Sequence, residues 1–181
     1  MRRTLREKTA RSHARVDAAY SQLDLADEAD FARFLQAHHL AYRHLQSLFA
    51  EQSDLNLAEI VLLLERDLTE MRAPVLRADQ ASLPSPDNRL GCLYVLAGSH
   101  FGKRVLLKRW SRSSCAAVKR AGHYLNSDLL AAAWPGVVEQ LAGIPDGALW
   151  NYVIVNSADR TFQLFYEALQ FVIGVEKGAY A

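Results

Sequence analysis

Leu5-Arg6-Glu7-Lys8-Thr9-Ala10-Arg11-Ser12-His13-Ala14-Arg15-Val16-Asp17 sets its apolar and small side chains at helical spacing rather than at the two-residue alternation of a strand. At 3.6 residues per turn, Leu5, Thr9, Ser12, Val16 and Tyr20 share one inward stripe. His13 lies at its edge, where the ring can point into the protein. Asp17, four residues on, can reach one ring nitrogen, and a carboxylate behind an imidazole fixes its tautomer and raises its basicity, as behind metal-binding histidines. Arg6 stands about 10 Å along the axis on nearly the same face, a distance that suits one large planar ligand with peripheral carboxylates. The same residues also read as a core-edge histidine in an ordinary helix salt-bridge pattern.

Outward from this segment the chain stays helical. A first helix is expected over about Thr4 to Tyr20, and a second from near Asp30 with Phe31, Phe34, Leu35, His38, Tyr42, Leu45 and Phe49 at helical spacing. A third spans Leu57 to Met71. The turn-rich connector Ser82-Leu83-Pro84-Ser85-Pro86-Asp87-Asn88 follows, with Ser85 as N-cap and Pro86 at the first helical position. Helical pattern resumes over Arg89 to Trp110, with a shorter piece over Cys115 to Leu125, another after Trp134-Pro135, and a long last helix over about Trp150 to Val172. Val153-Ile154-Val155 is strand-like alone but lies within helical context. Glycine and proline are sparse and alternating runs nearly absent, so the expected class is all-α, one domain over residues 1–181.

Half of the 181 residues are apolar, enough for a sizeable core. Cys92 and Cys115 suit packed thiols in a reducing cytoplasm better than a disulfide framework. Charged residues follow Arg2 and Arg3 at once, so no apolar signal core is expected, and no run is long and uncharged enough to span a bilayer. A cytoplasmic protein is the expectation. His38, His39 and His44 have no metal-ligand spacing and read as surface or interhelical residues.

Gly91, Gly98 and Gly102 are seven and four residues apart within one helical stretch, hence on one face. Each glycine inside a helix costs roughly 0.5–1 kcal/mol relative to alanine, so something must need the bare backbone. A neighbouring helix at short range would explain it. So would a flat ligand pressed against the backbone, with the helix bending over it.

Taken together, Leu5-Arg6-x-x-Thr9-x-x-x-His13-x-x-x-Asp17, Leu90-Gly91-Cys92-Leu93-Tyr94-Val95-Leu96-Ala97-Gly98-Ser99-x-x-Gly102 and Ala158-Asp159-Arg160-Thr161-Phe162 resemble the bacterial haem oxygenases, particularly the branch associated with bacteriophytochromes. The resemblance spans most of the chain and implies a single-domain haem-oxygenase-like helical bundle. It implies His13 as proximal haem ligand, Asp17 as its orienting acid and Arg6 as a propionate contact, with Gly98, Ser99 and Gly102 forming the distal wall. In that family haem is cofactor and substrate together, and reductant and dioxygen open the ring to biliverdin, carbon monoxide and iron.

Where the family has a second glycine after the one matching Gly102, this chain has Lys103. Its flexible stem is expected to leave the pocket for solvent or a propionate rather than crowd the distal face. His100 could turn inward toward a sixth ligand position, or face solvent as an ordinary helical histidine. From Asn88 to Ser127 there is no acidic residue, while Arg89, Lys103, Arg104, Lys108, Arg109, Arg112, Lys119 and Arg120 all fall there. Such a basic face fits an acidic electron donor, a ferredoxin or flavoprotein reductase, and no nucleic-acid-binding motif accompanies it. Two other readings stand beside the oxygenase: a non-catalytic haem-binding or delivery protein on the same scaffold, and a helical interaction module whose glycines only pack helices.

Overall fold

The computed structural model describes residues 1–49, 56–77, 83–145 and 149–179. Among them every regular element is a helix: α1 Arg2–Ser21, α2 Glu28–Leu48, α3 Leu57–Glu70, α4 Arg89–Gly98, α5 His100–Trp110, α6 Ala116–Arg120, α7 His123–Asn126, α8 Leu129–Ala142 and α9 Leu149–Ala179. No helix among the described residues is long and apolar enough to cross a membrane. The long α9 is the central post. It takes α1, α2 and α4 against it, with α3 on the outer side of α2 and α8 against α4.

Helices α2 and α3 start, and α3 stops, where local chemistry directs. Asp27 caps α2 by accepting from the Asp30 amide at 3.0 Å, and Asn56 caps α3 through the Glu59 amide at 3.1 Å. At the end of α3, Arg72 adopts φ 52° and the Ala73 amide reaches back to Leu68 O at 3.0 Å, closing the helix as a left-handed C-terminal turn.

Three expected boundaries are corrected. Ser82 of the connector lies outside the described residues. Ser85 is not the cap of α4, because its hydroxyl lies 3.0 Å from His44 Nε2. Asn88 caps instead, accepting from the Gly91 amide at 3.1 Å, and Ser157 of α9 bonds both its backbone N–H (2.9 Å) and its carbonyl (2.7 Å). The single helix expected over Arg89 to Trp110 is divided at Ser99. Its hydroxyl donates to Leu96 O at 2.7 Å, and the Gly102 amide bonds Ser99 O at 3.0 Å, a tighter i→i−3 turn between two weak helix formers. Trp134-Pro135 is no boundary, since α8 runs through it from Leu129. The strand-like Val153-Ile154-Val155 lies inside α9 as expected.

One of the three glycines is explained by packing alone. A Cβ on Gly91 would lie 2.3 Å from Ile154 O and 2.9 Å from Ala158 N, so α4 crosses α9 with backbones nearly touching. The same face, two turns on, has left α9. There a Cβ on Gly98 would meet only the Trp134 ring, at 3.4 Å, and one on Gly102 would meet nothing within 4 Å.

Candidate functional site

Where α4 and α5 diverge from α9, a cleft of about 1440 Å³ opens beside α1. That is above the usual range of roughly 300–1,000 Å³ for small-molecule sites. Its walls come from parts of the chain far apart in sequence: Arg6, His13 and Asp17 on α1, Gly98, Ser99 and Gly102 at the α4–α5 junction, and Phe162 and Phe165 on α9.

His13 faces this cleft from α1. Its side chain is 59% exposed, its ring centroid lies 5.2 Å from that of Phe162, and its Nε2 is 3.4 Å from Asp17 Oδ2. With Nε2 on the Asp17 side, Nδ1 is the ring nitrogen left for a ligand. The motif around residue 160 supports this wall. Asp159 accepts a hydrogen bond from the Ser12 hydroxyl and so ties α9 to α1 one residue before His13, while Ala158 packs beneath Gly91. Arg160 donates to Ser85 O at 2.9 Å, and Thr161 to Ser157 O at 2.8 Å.

Positive charge marks both ends of the cleft. Arg2, Arg3 and Arg6 line the end at the α1 N-terminus, where burial raises the Tyr94 phenol pKa and the nearby Arg6 and Arg2 partly offset the shift. Arg3 also pairs with Glu7 at 2.8 Å. At the far end Arg109 donates to Leu23 O and, at 3.2 Å, to Ser21 O, joining the end of α5 to the carbonyls that close α1. Arg109 is therefore a tie between helices and not part of an open basic face. That face is carried by Arg104, Lys108 and Arg112, which are exposed.

The other distal residues are placed as follows. Ser99 lines the cleft with its hydroxyl proton committed to Leu96 O. Lys103 does not line it: its ammonium turns to the α7–α8 junction, bonding Ser127 O and, at 3.2 Å, Asp128 Oδ1. His100 donates from Nδ1 to Ala97 O at 2.6 Å, with its ring 3.8 Å from Phe101 and 5.8 Å from Trp134, and it too is outside the cleft lining.

The floor is aromatic and was not anticipated. Tyr20, Phe34, His38, Tyr42, Tyr124 and Phe165 meet there, with the His38 ring 4.0 Å from Phe34 and 5.1 Å from Tyr20. Tyr20 donates to Phe165 O at 3.0 Å, and Tyr124 to the Tyr42 oxygen at 3.3 Å. Burial pushes the Tyr124 phenol up to about 12 and the His38 imidazole down to about 4, so both are neutral near pH 7. His38 is interhelical, as expected, with rings of α1, α7 and α9 around it, and it lines the cleft as well. Its spacing four residues from both Phe34 and Tyr42 was the available signal. His39 is interhelical, its Nε2 3.3 Å from Glu65 of α3.

A planar, anionic, metal-bearing macrocycle fits this donor set. The cleft offers apolar and aromatic walls, guanidinium groups at an end, imidazole nitrogen on two sides and a glycine where a Cβ would find open space. Among the described residues no group of three or more His, Cys, Asp or Glu could hold a metal ion by itself, whereas a haem iron asks the protein for a single axial nitrogen. No protein-family model matches this chain, and no curated protein matches it.

Proposed function

We propose that the chain is a haem oxygenase: it binds haem in the cleft and opens the ring oxidatively to biliverdin, carbon monoxide and iron. The observation that carries this reading is the convergence on one cleft of the α1 histidine with its acid, the arginines of the α1 N-terminus and the glycines of the α4–α5 junction, groups separated by more than eighty residues. Haem, when bound, supplies the iron at which dioxygen is reduced and the carbon skeleton that is cleaved.

The chain's residues supply position and field. His13 would hold the haem iron, and Asp17 would orient its ring. Gly98 and Gly102 keep the opposite wall low, and the Ser99 hydroxyl, with its proton given to Leu96 O, presents lone pairs to a water in the cleft. Arg2 and Arg6 receive the propionates. Lys103, held by Ser127 and Asp128, leaves the distal side clear. An acidic ferredoxin or flavoprotein reductase delivers electrons over the exposed basic side of α5.

The test is to titrate the protein with hemin, then add reductant and air. Loss of the haem bands with a rising bilin absorption is expected. A second reading, a haem carrier on the same scaffold, is favoured by the exposure of His13, more than half open to solvent. It predicts a stable ligated spectrum with no bilin. No spectral change at all would leave only an interaction module.

A further inference from the structure

The cleft contains a second imidazole better built as a metal ligand than the first. His38 sits in the aromatic floor, flanked by Tyr20, Phe34, Tyr124 and Phe165 with ring centroids 4.0–5.5 Å away. A carbonyl oxygen only accepts, so the 2.9 Å contact with Phe34 O fixes the proton on Nδ1 and leaves Nε2 as the lone-pair nitrogen. Among the described residues no donor meets Nε2. An imidazole that donates one N–H to a backbone carbonyl while the other nitrogen faces a cavity has the arrangement typical of metal-binding histidines. Desolvation keeps the ring neutral, the form that ligates. His13, by contrast, is exposed, and its partner stands at 3.4 Å.

We propose that His38, through Nε2, is a second nitrogen ligand for the iron of haem bound in this cleft, competing with His13 for the axial position. The proposal rests on the haem-binding reading. The remaining histidines do not compete: His39, His44, His100 and His123 lie outside the cleft lining, held by Glu65, Ser85, Ala97 and Asp67 respectively.

The experiment is hemin binding to the wild type, His13→Ala and His13→Ala/His38→Leu, read by visible absorption and by the iron–imidazole stretch of the ferrous complexes in resonance Raman. His13→Ala is expected to keep an imidazole-ligated spectrum, and the double variant to lose it. If His13→Ala alone abolishes imidazole ligation while the wild type shows it, this proposal fails and the haem reading stands. Retention of ligation in the double variant also overturns it, by pointing to another residue. A wild type that leaves the hemin spectrum unchanged overturns both. Because His13 is exposed, its single variant can overturn the proposal without disturbing the floor.

Discussion

Removing the His13 ring exposes a little of Phe162 and breaks a long, solvent-screened pair with Asp17, neither of which holds the core. Surface substitutions away from caps and networks usually change stability by no more than about 0.5 kcal/mol. His13→Ala should therefore leave the urea midpoint nearly unchanged while weakening hemin binding about tenfold or more, roughly 1.4 kcal/mol. A large drop in the midpoint with unchanged hemin affinity would make His13 structural. His38 carries a pH dependence of its own. Its native pKa of about 4 lies below the 6.5 of the unfolded chain, so between those values the unfolded state binds the extra proton and stability falls as the solution is acidified. The loss is about 3 kcal/mol, complete only below about pH 4. His39 and His44 are shifted in the same direction, both by burial, and add to it. His38→Leu should flatten the curve of stability against pH between 4 and 6.5, measured by denaturant titration at a series of pH values. An unchanged curve would assign the dependence to the other two. At this scale the sequence was informative about identity and less so about direction. His13 and Asp17 were legible from i,i+4 spacing, whereas the bond of His38 to its own helix and its cleft-facing nitrogen depend on α9 and α7 packing around it, contacts more than eighty residues away that no local pattern encodes.

The glycines show the same division one level up. Their spacing pointed to a need for bare backbone on one face of the α4–α5 stretch; packing shows that need at Gly91, where α9 follows α4, and not at Gly98 or Gly102, where α9 has left it. Packing explains Gly91, a ligand at Gly98 and Gly102 is the proposed reading, and the two make opposite predictions. Gly91→Ala drives a methyl into Ile154 O and Ala158 N, rigid backbone atoms at 2.3 and 2.9 Å, so helices α4 and α9 must part. The cost should be at least about 1–3 kcal/mol. Gly102→Ala meets nothing within 4 Å and lies in an exposed helix turn, where alanine is favoured by about 0.5–1 kcal/mol. Urea denaturation of the two variants should thus move in opposite directions, and equal destabilisation would show that Gly102 is also a packing residue. If the cleft takes a flat ligand against α5, Gly102→Ala should in addition weaken hemin binding without harming the fold. The expected single helix over Arg89 to Trp110 divided for a local reason that was readable only in part. A serine between glycines weakens a helix, but its hydroxyl bond to Leu96 O and the tight turn at Gly102 belong to the folded geometry.

Across the whole molecule, the uneven placement of charge matters more than its near-zero sum of +1. The acid-free stretch from Asn88 to Ser127 divides by structure into cations with partners and cations facing solvent. Lys103, Arg109 and Arg120 tie α5 and α6 to α7–α8, to α1 and to Glu70 of α3 respectively. Arg104, Lys108 and Arg112 face outward on α5 and just beyond its end, beside the exposed Phe101 and Val105 at the mouth of the cleft. If an acidic electron donor docks there, the second set would attract it. Exposed charges are screened over about 10 Å at 0.1 M ionic strength, so reduction of the hemin-loaded protein by such a donor should slow as salt rises. Arg104→Glu/Lys108→Glu should slow it at low salt while leaving hemin affinity and the urea midpoint in place. Arg109→Glu should behave differently, lowering stability because it removes the tie to the α1 carbonyls and sets a carboxylate against them. Stopped-flow absorbance of the haem bands after mixing with reduced donor, at two salt concentrations and for the three proteins, separates these effects. A reduction rate indifferent both to salt and to the α5 reversals would place electron entry elsewhere on the surface.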